Sequence, residues 1–218
     1  MRKNDFRAGM LLLAAFALWT VLIRQIDVQP VGPNGTHVGF ATFNAWFHAL
    51  TGVHWTLYTV TDWLGLVPIL VCLGFGTLGF SQLIRRRVDP DLLLLGGYYV
   101  LVITAYLIFE TIPINYRPIL IDGRPEASYP SSTTLLVLSV MPTLVFQLRR
   151  RAQNPRLQRI STLFSVAFSA FMVVGRLLSG VHWATDIAAS VLLSAGLYRL
   201  YRAAVSLTDE KRNNHGIQ

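Results

Sequence analysis

Long apolar runs separated by short charged segments set the pattern of the chain. Residues 8–23, 63–84, 92–109, 131–148 and 160–175 contain no Asp, Glu, Lys or Arg, and most reach the roughly 17–25 residues that carry a helix across about 30 Å of hydrocarbon. The two shortest runs extend past Arg24 and Arg176, whose long stems let a charged head snorkel to the interface. A sixth span is read where His182 and Asp186 stand near the start and Arg199 and Arg202 near the end. Residues 187–198 are apolar, and Trp183, Tyr198 and Tyr201 mark its margins as aromatic belts do. Between the first two spans, residues 28–61 are uncharged and open on the turn residues Pro30, Gly32, Pro33, Asn34 and Gly35. Phe40, Phe43, Trp46, Phe47 and Leu50 then recur at near-helical steps, with Thr42, Asn44 and His48 between them, as in a helix lying in the interface. Asp62 is read as the cap of the second span. The pattern predicts an all-α polytopic membrane protein with six transmembrane helices and one interfacial helix. They form a single domain over residues 1–205, followed by a polar, disordered cytoplasmic tail at 206–218.

Composition agrees and adds orientation. With 53% hydrophobic and 14% charged residues, a soluble globule is excluded. The net charge of +8 admits nucleic-acid binding until the cations are placed. Arg2, Lys3, Arg7, Arg85, Arg86, Arg87, Arg149, Arg150, Arg151, Arg156, Arg159, Arg199, Arg202, Lys211 and Arg212 fall on one face of the six-span topology, 15 of the 19 Lys and Arg residues. The positive-inside rule makes that face cytoplasmic, with both termini inside, in a multi-pass plasma-membrane protein. No nucleic-acid partner is expected. The segment from Trp19 to Arg24 offers no small-residue cleavage site, so the first run reads as an anchor and not a signal peptide. Cys72 has no partner for an internal disulfide and reads as a small buried hydrophobe.

The other four cations, Arg24, Arg117, Arg124 and Arg176, lie on the outer face, where polar residues at membrane depth point to function. If the sixth helix begins near Val181, His182 and Asp186 are four residues apart and share a face. The carboxylate then holds one imidazole nitrogen and leaves the other nucleophilic. Arg176, six residues earlier, offers a planar fork to an oxyanion beside that histidine. Arg117 is a second guanidinium, fixed next to Pro118, and Pro130, Ser131, Ser132 and Thr133 place hydroxyls and free N–H groups at a helix N-terminus, an anion site in its own right. Each residue alone has a structural explanation: snorkelling for Arg176, the interface for His182, the helix dipole for Asp186 and an N-cap for Ser131 or Ser132. Together they describe phosphoryl transfer through a phosphohistidine.

At these residues the chain resembles the type 2 phosphatidic acid phosphatase (PAP2) superfamily of integral-membrane lipid phosphatases. The signature of that family is Lys, six residues, Arg-Pro; then Pro-Ser-Gly-His; then Ser-Arg, five residues, His, three residues, Asp. Arg117 and Pro118 match the end of the first motif, Pro130 and Ser131 the start of the second, and Arg176, His182 and Asp186 the third at full spacing. The resemblance implies that His182 attacks phosphorus, that Asp186 orients and charge-stabilises it, and that Arg117, Arg176 and Ser131 with the N–H groups of Ser132 and Thr133 hold the phosphoryl oxygens. It implies neither metal nor cofactor.

Four positions depart from the motifs. Glu110 stands in place of the lysine, Gly175 of the serine, Ser132 of the glycine, and Thr133 of the second-motif histidine, the general acid of the family. Threonine does not donate a proton at neutral pH, and loss of a general acid costs on the order of 10²–10⁴-fold in rate. Glu126, His48 or His54 are candidate substitute donors, and Arg124 a substitute for the lysine. A leaving group that needs little protonation, as in a polyprenyl diphosphate, is favoured over phosphatidic acid or phosphatidylglycerophosphate. The expected function is hydrolysis of a lipid phosphate or diphosphate at the outer face. The alternatives are a lipid phosphotransferase using the same histidine and a catalytically silent lipid-binding or transport protein.

Overall fold

A computed structural model describes residues 2–87 and 89–215. Its helices are α1 (Arg2–Ile23), α2 (Ala41–Thr51), α3 (Trp55–Leu64), α4 (Leu66–Ile84), α5 (Pro90–Thr111), α6 (Ser132–Arg151), α7 (Pro155–Leu178) and α8 (Ala184–His215). By length and apolar composition, α1, the α3–α4 pair, α5, α6 and α7 can each cross a membrane. The expected interfacial helix is α2.

α8, the expected sixth span, does not meet that apolar criterion, and its packing explains why. It runs antiparallel to α1 from end to end. Arg2 pairs with Glu210, and Asp5 pairs with Arg199 and Arg202 at 2.6 and 3.2 Å. Midway, Gly9 faces Leu200 and Gly196 faces Leu13; at the far end Trp19 Nε1 donates to the Thr185 carbonyl at 3.1 Å. Where α1 crosses, α8 crosses with it. A helix enclosed by protein needs no apolar lipid face, so α8 carries buried Asp186, Ser190 and Ser194 beside Leu193, Leu197 and Tyr201. The apolar side chains join Phe16 of α1, Leu92, Leu95, Tyr98 and Val102 of α5 and Leu135 of α6 in the main core.

Two expectations are corrected. The second apolar run is not one capped helix. Pro68 has no N–H to give the Leu64 carbonyl, and the helix breaks at Gly65 between α3 and α4. Asp62 lies within α3 and caps nothing. The segment after Ser206 is not a disordered tail: α8 continues to His215, because Arg150 grips Asp209 with both terminal nitrogens at 2.8 and 2.9 Å and Arg2 holds Glu210. Residues 216–218 of the expected tail lie outside the described residues.

A Cβ on Gly196 would stand 2.8 Å from Leu13 Cδ2 and 3.2 Å from the Leu13 backbone nitrogen. Gly196→Leu is expected to destabilise the fold by about 1–3 kcal/mol through overpacking, seen as a lower thermal midpoint in detergent. Gly74→Leu, where a Cβ meets nothing within 4 Å, is expected to leave the midpoint where it is. Equal effects of the two would refute close α1–α8 contact.

Candidate active site

The α5–α6 connection is built to deliver side chains. It folds back on itself through backbone bridges at Tyr116 with Ala127 and Ile121 with Arg124. It turns at Asp122 and Gly123, both with positive φ (48° and 73°), the conformation of a type I′ turn. The Asp-Gly pair was the available sequence signal for this hairpin. Arg117 and Glu126 face each other across it, with the Arg117 N–H donating to the Glu126 carbonyl at 2.9 Å and Arg117 Nε lying 3.1 Å from Glu126 Oε2.

Three hydrogen bonds fasten this hairpin to the segment that opens α8. His182 Nδ1 donates to the Ser128 carbonyl at 3.1 Å, Trp183 Nε1 to the Tyr116 carbonyl at 2.7 Å, and Asn115 Nδ2 to Asp186 Oδ1 at 3.1 Å. With the Nδ1 proton on Ser128, Nε2 of His182 is the unprotonated nitrogen. It faces Arg117 Nη1 at 3.4 Å. The loop behind it is also braced: Gly180 takes a positive φ of 70°, its carbonyl lies 3.1 Å from His48 Nε2, and the His54 N–H donates to the Ser179 carbonyl.

The expected histidine–aspartate pair does not form. α8 begins at Ala184, not near Val181, so His182 precedes the helix and shares no helical face with Asp186. Asp186 Oδ2 instead accepts the Trp183 N–H at 3.0 Å, a carboxylate in the first turn reaching back to the N-cap. The Ser128 carbonyl holds the imidazole, and Asp186 bonds Asn115 and the Trp183 N–H instead. No sequence signal singles out a backbone carbonyl, whereas Asn115, two residues before Arg117 on an extended segment, shares its side of the chain.

α6 starts beside His182. The Ser131 N–H donates to the Asp186 carbonyl at 3.4 Å, and Ser190 Oγ donates to the Ser131 carbonyl at 3.0 Å. The first bond within the helix runs from the Leu135 N–H to the Ser131 carbonyl, so the N–H groups of Ser132, Thr133 and Thr134 precede it, as free donors at a positive helix end do. The Ser131 hydroxyl and Arg176 Nε are buried and have no hydrogen-bond partner among the described residues.

Arg176 enters from the end of α7 with its side chain 2% exposed. Its guanidinium stacks 4.9 Å from the centre of the Tyr58 ring, and Nη2 donates both to Thr133 Oγ1 and, at 3.0 Å, to Asp62 Oδ1. Asp62 and Tyr58 were outside the expected site. Gly175 makes their approach possible, since a Cβ there would stand 2.7 Å from Thr61 Cγ2 of α3.

The structure thus brings together His182, Arg117, Arg176, Ser131, Ser132, Thr133 and Glu126. Arg124 stands exposed at the hairpin tip and lines neither opening of the site. His48 and His54 support the loop from outside; His54 Nε2 lies 2.8 Å from the Thr51 carbonyl. One opening is a crevice lined by His182, Glu110, Tyr106 and Ser132. The other is an apolar groove between α4, α5 and α6, with Asp62, Ser132 and Thr133 at its polar end and Leu66, Ile69, Val102, Ile103 and Leu136 along it.

A family model described as the PAP2 superfamily matches residues 90–208, from the start of α5 into the last third of α8. Among solved structures, the fold resembles the crystal structure of a transmembrane PAP2 type phosphatidylglycerolphosphate phosphatase from Bacillus subtilis. The two superpose with a TM-score of 0.64 over 93% of this chain and 96% of that one, at 16% sequence identity. No curated protein matches the sequence significantly.

Burial, then the positive charges of Arg117 and Arg176, hold the His182 imidazole well below the ordinary histidine range, against the opposing pull of the Ser128 carbonyl. All the dominant causes disfavour the charged ring, so His182 is expected to stay neutral at pH 6. Arg117→Gln removes one cation and is expected to move the titration up, toward the usual value of about 6.5. ¹⁵N NMR of the labelled imidazole in detergent reads both. Titration of the unsubstituted protein at the ordinary value would contradict the assignment.

Proposed function

The chain belongs to the PAP2 superfamily, whose model covers more than half of it, and from that premise we propose that it is a membrane lipid phosphatase acting through a phosphohistidine on His182. The observation that carries the reading is the state of that one side chain. Its Nδ1 proton is committed to the Ser128 carbonyl, and its unprotonated Nε2 faces a guanidinium beside a free helix N-terminus. A neutral imidazole aimed at an anion site is a nucleophile for phosphorus.

Each neighbour has a chemical task. The phosphoryl group lies at the start of α6, where the N–H groups of Ser132 and Thr133, the Ser131 hydroxyl and the forks of Arg117 and Arg176 receive its oxygens. These donors are held by the fold before substrate arrives, so they stabilise the charge that spreads over the equatorial oxygens without reorganising. As the bond from Nε2 to phosphorus forms, the bond from phosphorus to the lipid oxygen breaks and that oxygen leaves with the electron pair; the ring becomes cationic, and the Ser128 carbonyl accepts its Nδ1–H. Water then attacks phosphorus and the P–N bond breaks, which releases inorganic phosphate.

The apolar groove supports a lipid as the substrate. Its polar end is Asp62, Ser132 and Thr133, and its walls are apolar side chains of α4, α5 and α6. A chain lying there places its phosphate against the helix start. The same groove receives the tail of a lipid monophosphate or of a polyprenyl diphosphate. The site lies at the Ser132 end of α6, and Arg149, Arg150 and Arg151 at the other end. The positive-inside rule therefore turns the site to the outer face of the plasma membrane, with both termini in the cytoplasm.

His182→Ala is expected to retain helical circular dichroism and to lose phosphate release from lipid phosphates in detergent. Incubation of the unsubstituted protein with ³²P-labelled substrate and acid-free quenching is expected to trap an alkali-stable, acid-labile adduct that is missing from His182→Ala. Equal release by the two proteins would end the phosphohistidine reading, and label that passes to a second lipid instead of water would identify a transferase.

A further inference from the structure

The histidine missing at position 133 leaves the proposed reaction without a proton donor, and the structure shows what stands there instead. Thr133 Oγ1 accepts from Arg176 Nη2, and the same nitrogen donates to Asp62 Oδ1 at 3.0 Å. A single guanidinium nitrogen joins a carboxylate from α3 to the position where the motif has its acid. Asp62 also lies outside residues 90–208 of the family match. Its approach depends on Gly175, itself a departure from the motif, which makes room for the neighbouring Thr61.

Sidedness separates Asp62 from the other acids. In-line displacement puts nucleophile and leaving group on opposite sides of phosphorus. Ser132 and Tyr106 belong to both openings of the site. His182 lines the crevice and not the groove, and Asp62 and Thr133 line the groove and not the crevice. The lipid, which is the leaving group, occupies the groove. Glu110 lines the crevice with His182. Glu126 is paired with Arg117 Nε, on the same guanidinium that faces Nε2. Asp186 is buried with both oxygens accepting hydrogen bonds. Of these four carboxyl groups, Asp62 alone lines the groove, and its side chain is 58% exposed against 2% for the Arg176 side chain it touches. Exposure lets it regain a proton from water in each cycle.

Resting on the phosphohistidine reading above, we propose that Asp62 is the general acid of this enzyme, in place of the histidine that Thr133 replaces, and that it protonates the oxygen of the departing lipid alcohol. A phosphoryl dianion entering the Arg176 fork competes with Asp62 for Nη2 and releases its carboxyl group toward the groove. Nε2 of His182 then forms its bond to phosphorus while the bond from phosphorus to the lipid oxygen breaks. The electron pair leaves with that oxygen, which takes the Asp62 proton. In the second half, a water gives a proton to the Asp62 carboxylate as its oxygen attacks phosphorus, and the P–N pair returns to Nε2. With a donor in place, lipid phosphomonoesters, whose alkoxides need a proton, are substrates alongside diphosphates.

The test compares two leaving groups in the full-length protein in detergent. Dioctanoyl phosphatidic acid expels an alkoxide and requires the acid, whereas p-nitrophenyl phosphate expels a phenolate that leaves without one. Asp62→Asn keeps an oxygen for Arg176 and has no acidic proton to give. Its kcat on the phosphatidate is expected to fall by about 10²–10⁴-fold more than its kcat on the aryl phosphate. The aryl phosphate rate reports that the variant is folded and still binds phosphate. Parallel losses on the two substrates would reduce Asp62 to a positioning group for Arg176, and no loss on either would remove it from the reaction; either result overturns the proposal. His182→Ala, run beside it, separates the two readings. Retained turnover there refutes the phosphohistidine, whereas loss there with an Asp62→Asn ratio equal to that of the unsubstituted enzyme refutes only the role of Asp62.

Discussion

Two guanidinium groups, those of Arg117 and Arg176, lie at one end of the bundle, largely out of water, and the first of them faces the His182 imidazole. Removing a charge from water costs several kcal/mol unless partners replace the lost hydration, and much of the local architecture follows from supplying them. Arg176 receives the face of Tyr58 and the carboxylate of Asp62, both from α3. Arg117 receives Glu126 across the hairpin. Neither carboxylate touches His182, so each cation is balanced without a proton acceptor competing for the ring. The break at Gly65 belongs to the same solution, because it separates α3, which packs on the end of α7, from α4, which goes on through the bilayer.

The polar interior of α8 is a second consequence. A site fixed at the junction of three segments needs hydrogen bonds between their ends, and those bonds need polar atoms at membrane depth. Asp186 joins Asn115 to the start of α8, Ser190 reaches the Ser131 carbonyl, and Asn44 of α2 donates to Thr185 Oγ1 at 2.9 Å. Each lowers the hydropathy of the central helix, and the surrounding helices make this tolerable by shielding it from lipid. The low apolar content of α8 and the rigidity of the site have one cause.

The same tension decides how much was legible in the sequence. Lipid-facing helices must be apolar, so α1, α5, α6 and α7 are visible as uncharged runs, each end within six residues of the helix end. The regular aromatic steps from Phe40 to Leu50 likewise revealed α2. His182 and Asp186 were found by spacing, and they do lie together. The expected contact between them failed because it assumed where α8 begins: Gly180 at positive φ ends the preceding turn, and the helix starts two residues after His182. Asp62 was read as a cap because local pattern says nothing of α7. Its partner is 114 residues away in sequence, and only the close packing of α3 on Gly175 brings the two together. The continuation of α8 past Ser206 was hidden in the same way, since the bonds of Asp209 and Glu210 go to Arg150 and Arg2 of other helices.

Charge accounting links substrate binding to proton donation. Asp62 and Glu126 each pair with one of the two guanidiniums. A dianionic phosphoryl group can take Arg176 Nη2 only by displacing the Asp62 oxygen that it already holds. The carboxyl group that is released lies on the groove side of Ser132, where the lipid oxygen must depart. In the proposed reaction, the event that seats the phosphate on Arg176 also frees the Asp62 carboxyl group from it. A histidine at position 133, protonated and beside Arg176, would instead have added a third cation at that spot. In the proposed reaction, exchanging it for threonine and recruiting the acid from α3 keeps the donor on the groove side and adds no cation beside Arg176.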